Sequence, residues 1–220
     1  MKTINTPHTA HLLPHTPYLL PLTSHLVFCF LLSFSCFGQA VQSPKDAPHF
    51  VYQTSIGMGY GMGKIFVEKD TFPNGNFTFE IQQLLAYQFN NHFFTGVGAG
   101  LDFWFYDKQT STFIPIFANV TVKLMNKKTA PFAFANFGYS FKWQTEQKLE
   151  DVVFYGTKAG IYLQAGVGLN LKFSDKLSLL MTAYYKMQNS AVKVRESELI
   201  LSEIDKIYFH FVGIKIGLLY

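Results

Sequence analysis

Charge is scarce in this sequence. Only 15% of residues are charged, against about 25% in an ordinary soluble domain, and the net charge of +4 is spread as Lys and Arg among acids. No basic stripe of the kind that nucleic-acid binding needs is present. Cysteine is nearly missing: the two in the chain, Cys29 and Cys36, both lie close to the N-terminus. Outside the N-terminal region there is no run of about 18 or more apolar residues, which argues against a helical membrane protein. Size is not the constraint, because 220 residues suffice for one domain with a core.

What is abundant is aromatic and alternating. The chain holds 24 Phe and 12 Tyr. In "GIYLQAGVGLNLKF", which begins at Gly160, Ile161, Leu163, Ala165, Val167, Leu169, Leu171 and Phe173 share one parity, and Tyr162, Gln164, Gly166, Gly168, Asn170 and Lys172 the other. A period of two is the signature of a β-strand with one apolar face. Seven further segments repeat the pattern: "FVYQTSIGMGYGMGKIF", "FTFEIQQLLAYQF", "FFTGVGAGLDFWF", "FIPIFANVTVKL", "PFAFANFGYSF", Leu177 to Met187, and "YFHFVGIKIGLLY". In the fifth of the eight, counted along the chain, the preferred phase sets Phe137, Tyr139 and Phe141 against Asn136, Gly138 and Ser140.

The connections alternate in length. "NN" (Asn90, Asn91), "NKKTA" and "SDK" (Ser174, Asp175, Lys176) suit tight hairpin turns. The other connections are longer and hold most of the charge. All tight turns then fall at one end, and an antiparallel up-and-down barrel of eight strands follows. A soluble lipocalin-like lipid carrier has the same strand count. The composition of the lesser face separates the two: Gly, Ser, Thr, Asn and Gln make a poor solvent coat but suit a narrow lumen. The apolar face therefore points to lipid, and its segments of roughly 9 to 14 residues match tilted transmembrane strands. Closure satisfies the backbone at membrane depth. Phe89, Phe93, Phe103, Phe105, Phe173, Phe209 and Tyr220 lie near strand ends, where aromatic girdles belong.

The N-terminus reads as a secretory signal over residues 1–40. "LVFCFLLSF" (Leu26 to Phe34) is its apolar core, and Gly38, Gln39 and Ala40 supply a small-residue cleavage site. Cleavage removes both cysteines and leaves no disulfide; a lipoprotein anchor at Cys36 is the rival. The segment before the core is long, has one Lys, and carries four histidines; a start codon placed too early accounts for its length. Residues 41–49 form a short linker, and 50–220 the barrel domain.

With the signal, the "IPIFANV" strand from Ile114, the "PFAFANFGYSF" strand from Pro131, the "GIYLQAGVGLNLKF" strand and a terminal strand ending on an aromatic, the chain resembles the small bacterial outer-membrane β-barrel domain (porin-like) family. That resemblance covers roughly Phe50 to Tyr220. It implies an outer-membrane location, tight turns facing the periplasm and long connections facing outside. It also implies that Ile214, Ile216, Leu218 and Tyr220 resemble the signal read by the barrel assembly machinery.

Chemistry is thin. His49, His92 and His210 remain after signal removal; the first two fall at the periplasmic end, and His210 lies toward the outer half on the lipid-facing parity. No Ser or acid is placed beside His210 by spacing, so a rim enzyme acting on lipid A lacks the partner that a general base needs. Glu80 and Asp102 stand out on the inward parity. Pairing about the "NN" turn sets Glu80 opposite Leu101 and diagonal to Asp102. Such acids either share a lumen cation, with Lys186 the candidate, or one stays protonated. They are expected to form a polar plug; a cation site is the alternative. The glycines of "GMGYGMGK" share one parity with no helix after them, so they read as room in the lumen rather than a phosphate loop.

The expectation is a monomeric, non-enzymatic outer-membrane barrel with no metal, cofactor or nucleic-acid partner. It meets outer-membrane lipid, the assembly machinery during biogenesis, and a loop ligand that the sequence does not name. Residues 189–206, "NSAVKVRESELILSEIDK", are the candidate external contact, as a continued hairpin or a short helix.

Overall fold

A computed structural model describes residues 48–220 other than 68–69, 74, 107–108, 144–146, 150–151, 159, 175–176 and 198–199. The signal segment with Cys29, Cys36 and its four histidines lies outside the described residues, as do Asp175 and Lys176 of the "SDK" turn. The described residues form twelve strands: β1 His49–Met62, β2 Lys64–Val67, β3 Asp70–Pro73, β4 Phe77–Gln88, β5 Phe93–Tyr106, β6 Gln109–Lys123, β7 Thr129–Lys142, β8 Gln147–Leu149, β9 Val152–Lys158, β10 Gly160–Lys172, β11 Ser178–Ser197 and β12 Ile200–Leu219.

Eight of these close a barrel. Going round it the order is β1, β4, β5, β6, β7, β10, β11, β12, and β12 pairs antiparallel with β1 to close it. Every neighbour in the barrel is antiparallel, so this is the up-and-down arrangement expected from the eight alternating segments. Closure is completed at the chain end, where the backbones of Tyr52 and Tyr220 exchange hydrogen bonds of 2.7 and 2.9 Å. Tyr220 also stacks on Tyr52, with ring centroids 6.2 Å apart.

The apolar parity faces out. Val97 and Val167 are each 64% exposed and Ile214 is 63% exposed, with Met58, Ile116 and Phe137 also on the outer wall. An apolar surface running round the described barrel far exceeds the few hundred Å² that soluble monomers show, whereas acyl chains are its natural solvent. A lipid carrier in water requires the opposite orientation. Phe50, Phe89 and Phe173 are exposed near one end of this wall, and Tyr60, Phe77 and Phe105 near the other, which makes two aromatic belts. Phe209 belongs to neither: it shares parity with buried Phe211 and packs in the lumen against Trp104, with centroids 4.8 Å apart.

The lumen is layered rather than polar throughout. Toward the tight turns it is filled by Val51, Leu84, Ala86, Phe94, Phe132 and Leu180. At the far end Trp104, Phe113 and Phe211 close it, Trp104 lying 4.2 Å from Phe113 and 4.9 Å from Phe211 between ring centroids. The polar side chains occupy the layer between. Large rings fit in so narrow a barrel where glycine faces them, as Gly98 faces Phe117 and Gly168 faces Phe132, and glycine also lets neighbouring strand backbones approach closely. Gly138 on β7 is one such place: a Cβ there would meet Ile116 O and come within 2.6 Å of Phe117 Cα, both on the neighbouring strand β6. Because backbone cannot swing aside as a flexible side chain can, Gly138→Ala is expected to destabilise the barrel by about 1–3 kcal/mol. Urea unfolding of the chain folded in lipid vesicles measures this.

The connections differ from the expectation in two ways. Asn90, Asn91 and His92 together form the β4–β5 loop, three residues rather than two: Phe89 N donates to Phe93 O at 3.1 Å. Asn90 explains the extra residue, since its Oδ1 accepts from the backbone N–H of both His92 and Phe93 at 2.8 and 2.9 Å, the side-chain turn that Asn favours. At the other end the long connections are largely sheet. β5 and β6 stay paired up to Tyr106 and Gln109, β2 and β3 make a separate hairpin, and β11 and β12 run 20 residues each. Of residues 189–206, the described ones (189–197 and 200–206) therefore continue the hairpin, and β9 and β8 add to its edge in turn.

Candidate functional site

The three-residue loop moves the register by one, and this brings the two lumen acids face to face. Glu80 pairs directly with Asp102 across β4 and β5, not with Leu101. Both carboxylates point inward and are fully buried, as is Lys186 on β11. The Lys186 Nζ lies 2.9 Å from Glu80 Oε2 and 3.0 Å from Asp102 Oδ2, and 3.5 Å from Thr78 Oγ1. Thus Glu80, Asp102 and Lys186 are brought together, and an ammonium fills the position between the carboxylates that a metal cation would take.

A second lysine completes the layer. Lys215, from β12, places its Nζ 3.5 Å from Glu80 Oε1 and donates to Gln82 Oε1 and Gln164 Oε1, each at 2.9 Å. Gln164 Nε2 donates in turn to Glu80 Oε1 at 2.9 Å. The chain of bonds continues sideways: Gln82 Nε2 donates to the Tyr162 hydroxyl at 2.8 Å, Asn136 Nδ2 to Gln164 Oε1 at 3.0 Å, and Asn119 Nδ2 to Asn136 Oδ1 at 2.6 Å. Two acids and two lysines balance in charge, and strands on opposite walls are tied through them. Each ammonium is also flanked by an aromatic face, Lys186 by Phe211 at 5.3 Å and Lys215 by Phe134 at 5.0 Å, a further stabilisation of a desolvated cation. Asp102 is the less completely held acid, because its Oδ1 has no hydrogen-bond partner among the described residues.

The glycines of β1 make this layer possible. Gly57 lies across from Glu80, and a Cβ on it would press to 3.1 Å from both Glu80 Cγ and Oε1. Gly59 similarly leaves space for Thr78 and Tyr184. Lys215 had a legible signal that the reading of the sequence passed over: it lies between Ile214 and Ile216, both on the outer wall, so its own side chain must enter the lumen.

The remaining candidates lie elsewhere. Ile214, Ile216 and Leu218 are exposed on the outer wall of the last strand, and Tyr220 ends it beside Tyr52. His92 is in the β4–β5 loop with Nδ1 2.9 Å from Lys123 O, and His49 opens β1 opposite Gln88; both are at the tight-turn end. His210 faces outward and stacks on Tyr185, whose hydroxyl is 2.6 Å from its Nδ1. Among the described residues no group of three or more His, Cys, Asp or Glu is placed to hold a metal ion.

No family model and no curated protein matches the chain. Solved structures do. The Neisserial surface protein A (NspA) aligns over 79% of this chain and 97% of its own at a TM-score of 0.55 and 10% identity. The chain has the fold of the small bacterial outer-membrane β-barrels. A second such protein, the outer membrane protein OprG from Pseudomonas aeruginosa, covers 78% of this chain and 96% of its own, with a TM-score of 0.52 and 11% identity. At such low identity what is shared is the backbone path and its closure. The apolar outer wall adds the solvent: it suits acyl chains, around a lumen whose Glu80, Asp102, Lys186 and Lys215 layer lies between two apolar ones.

Proposed function

We propose that this chain is a monomeric, non-enzymatic outer-membrane barrel whose sealed wall carries β-hairpins for contact outside the cell. The observation that carries the reading is the contrast between the lumen and the ends. The lumen is filled by Trp104, Phe211, the buried ion pairs and Phe94, with a small cavity among Gln82, Asn119, Asn136 and Lys215, while β11 and β12 run on as a hairpin and recruit β9 and β8 to its side. A crowded lumen and a broad projecting sheet suit display and support rather than transport. Outer-membrane lipid is the permanent partner. During biogenesis the last strand, with Ile214, Ile216, Leu218 and Tyr220, is the segment that the assembly machinery reads.

Three readouts test this. The mature chain is expected in the outer-membrane fraction with heat-modifiable gel mobility, to pass no stepwise current in planar bilayers, and to be cut by external protease within residues 190–206 of intact cells. Regular single-channel steps, or an altered lipid A profile on deletion of the gene, overturn the sealed, non-enzymatic reading.

A further inference from the structure

The sheet that projects from the barrel has two edges, and they are finished differently. On the β11 side, β9 and then the three-residue β8 extend it, so that edge ends in a stub too short to template another strand. On the other side β12 is left uncovered. Its partner β1 stops at Met62, opposite His210, whereas β12 runs outward to Ile200 and stays paired with β11 along that length. Among the described residues no strand is hydrogen-bonded to the other side of Ile200 to Phe209. An open edge of this kind is a template for an extended chain.

The strand placed to cover it comes next in the sequence. β2 begins at Lys64, directly after Gly63, and lies beside β12, yet it pairs with β3 in a sheet of its own. Gly63 makes the difference. Its φ of 78° is left-handed, which turns the chain out of the line of β1. A Cβ at Gly63 would meet nothing within 4 Å, so the glycine supplies conformation there and not room. With Gly63 extended instead, the β1–β12 register runs on unbroken: Lys64 falls opposite Tyr208, Phe66 opposite Lys206 and Val67 opposite Asp205. β3 then becomes the outermost strand. It has four residues and ends in Pro73, which has no N–H to offer a further strand. We propose that β2 is a strap for the outer edge of β12, with Gly63 as its hinge. While Gly63 is left-handed the edge is open to an extended segment of another protein; when it is extended the chain's own hairpin caps the edge. The switch requires only the strand pairing, so it stands or falls separately from the display role.

Hydrogen exchange read by mass spectrometry tests it on the chain folded in lipid vesicles. Gly63→Val penalises the left-handed conformation and is expected to shift the balance toward pairing on the order of tenfold. About two further backbone amides between Asp205 and Phe209 are then protected, since alternate residues of a strand donate to one side. Gly63→Asn, which tolerates the left-handed region, leaves exchange in that segment native. Visits to the paired state with Gly63 in place are trapped by oxidising Lys64→Cys with Tyr208→Cys, in a background of Cys29→Ser and Cys36→Ser. A disulfide is expected for this pair and not for Lys64→Cys with Leu201→Cys, because Leu201 lies about 23 Å farther along the strand and a disulfide needs Cα atoms within about 7 Å. Heat-modifiable mobility verifies that each variant is folded, and if Gly63→Val is not, the cross-linking comparison decides alone. Native exchange in the folded Gly63→Val chain, no cross-link to position 208, or equal cross-linking of the two pairs overturns the strap.

Discussion

Lys186→Met is expected to destabilise the folded barrel by about 3–5 kcal/mol, the range for removing one partner of a buried ion pair. The argument begins with position. Glu80 and Asp102 are a direct cross-strand pair, fully buried, and Lys186 bridges them at 2.9 and 3.0 Å. Without the ammonium, Glu80 keeps Lys215 at 3.5 Å and the Gln164 amide at 2.9 Å. Asp102 keeps neither of these, so the loss falls mainly on that carboxylate and on its repulsion with Glu80. Removing both members of one pair, by Asp102→Asn and Lys186→Met together, leaves Glu80 with Lys215 and no uncompensated charge, and stability is expected to return to within about 1 kcal/mol of the native chain. Urea unfolding in lipid vesicles, followed by tryptophan fluorescence in a Trp143→Phe background so that Trp104 beside the layer reports, measures both. A single variant within about 0.5 kcal/mol of native means the bridge contributes nothing, and the plug is then only a filling.

That bridge was half legible in the sequence. Glu80, Asp102 and Lys186 could be picked out because a charge on the small-residue parity of an otherwise apolar strand has only the lumen to enter. Their mutual geometry could not, because it hangs on a loop. A two-residue turn at Asn90 and Asn91 puts Glu80 diagonal to Asp102, and the observed three-residue loop puts them opposite. The difference is one hydrogen-bonding choice by the Asn90 side chain, which is invisible to alternation.

The same logic sorts the rest of the fold. Strands β1, β4 to β7 and β10 to β12 were readable because lipid on one side and a crowded lumen on the other impose the period of two along the whole bilayer span. Beyond that span nothing enforces it. The upper parts of β11 and β12, with sequences such as "KVRES" and "SEIDK", lack the pattern, so the sequence left a continued hairpin and a short helix both open; their backbones remain paired. Phe209 illustrates the converse error: an aromatic near a strand end suggested the girdle, but its parity with Phe211 sends it inward to Trp104. Parity was the stronger signal there.

Ile214→Arg gives the second large effect and bears on orientation itself. Ile214 lies opposite Met58 on β1 and Ala183 on β11, midway along β12 between His210 near one aromatic belt and Tyr220 at the other, and its side chain is exposed on the outer wall. An arginine at the bilayer midplane of such a barrel destabilises it by about 2–4 kcal/mol, falling to about 0–1 near the interfaces. Phe89→Arg, on the same wall but beside the β4–β5 loop, is the matched control for the interface. The depth dependence is the point, because in a protein folded in water two similarly exposed positions would both accept arginine with little penalty. Unfolding titrations of both variants in vesicles are therefore expected to separate by about 2 kcal/mol or more, with Ile214→Arg the weaker. Equal stability of the two places water, not acyl chains, against the wall that Val97, Val167 and Ile214 form.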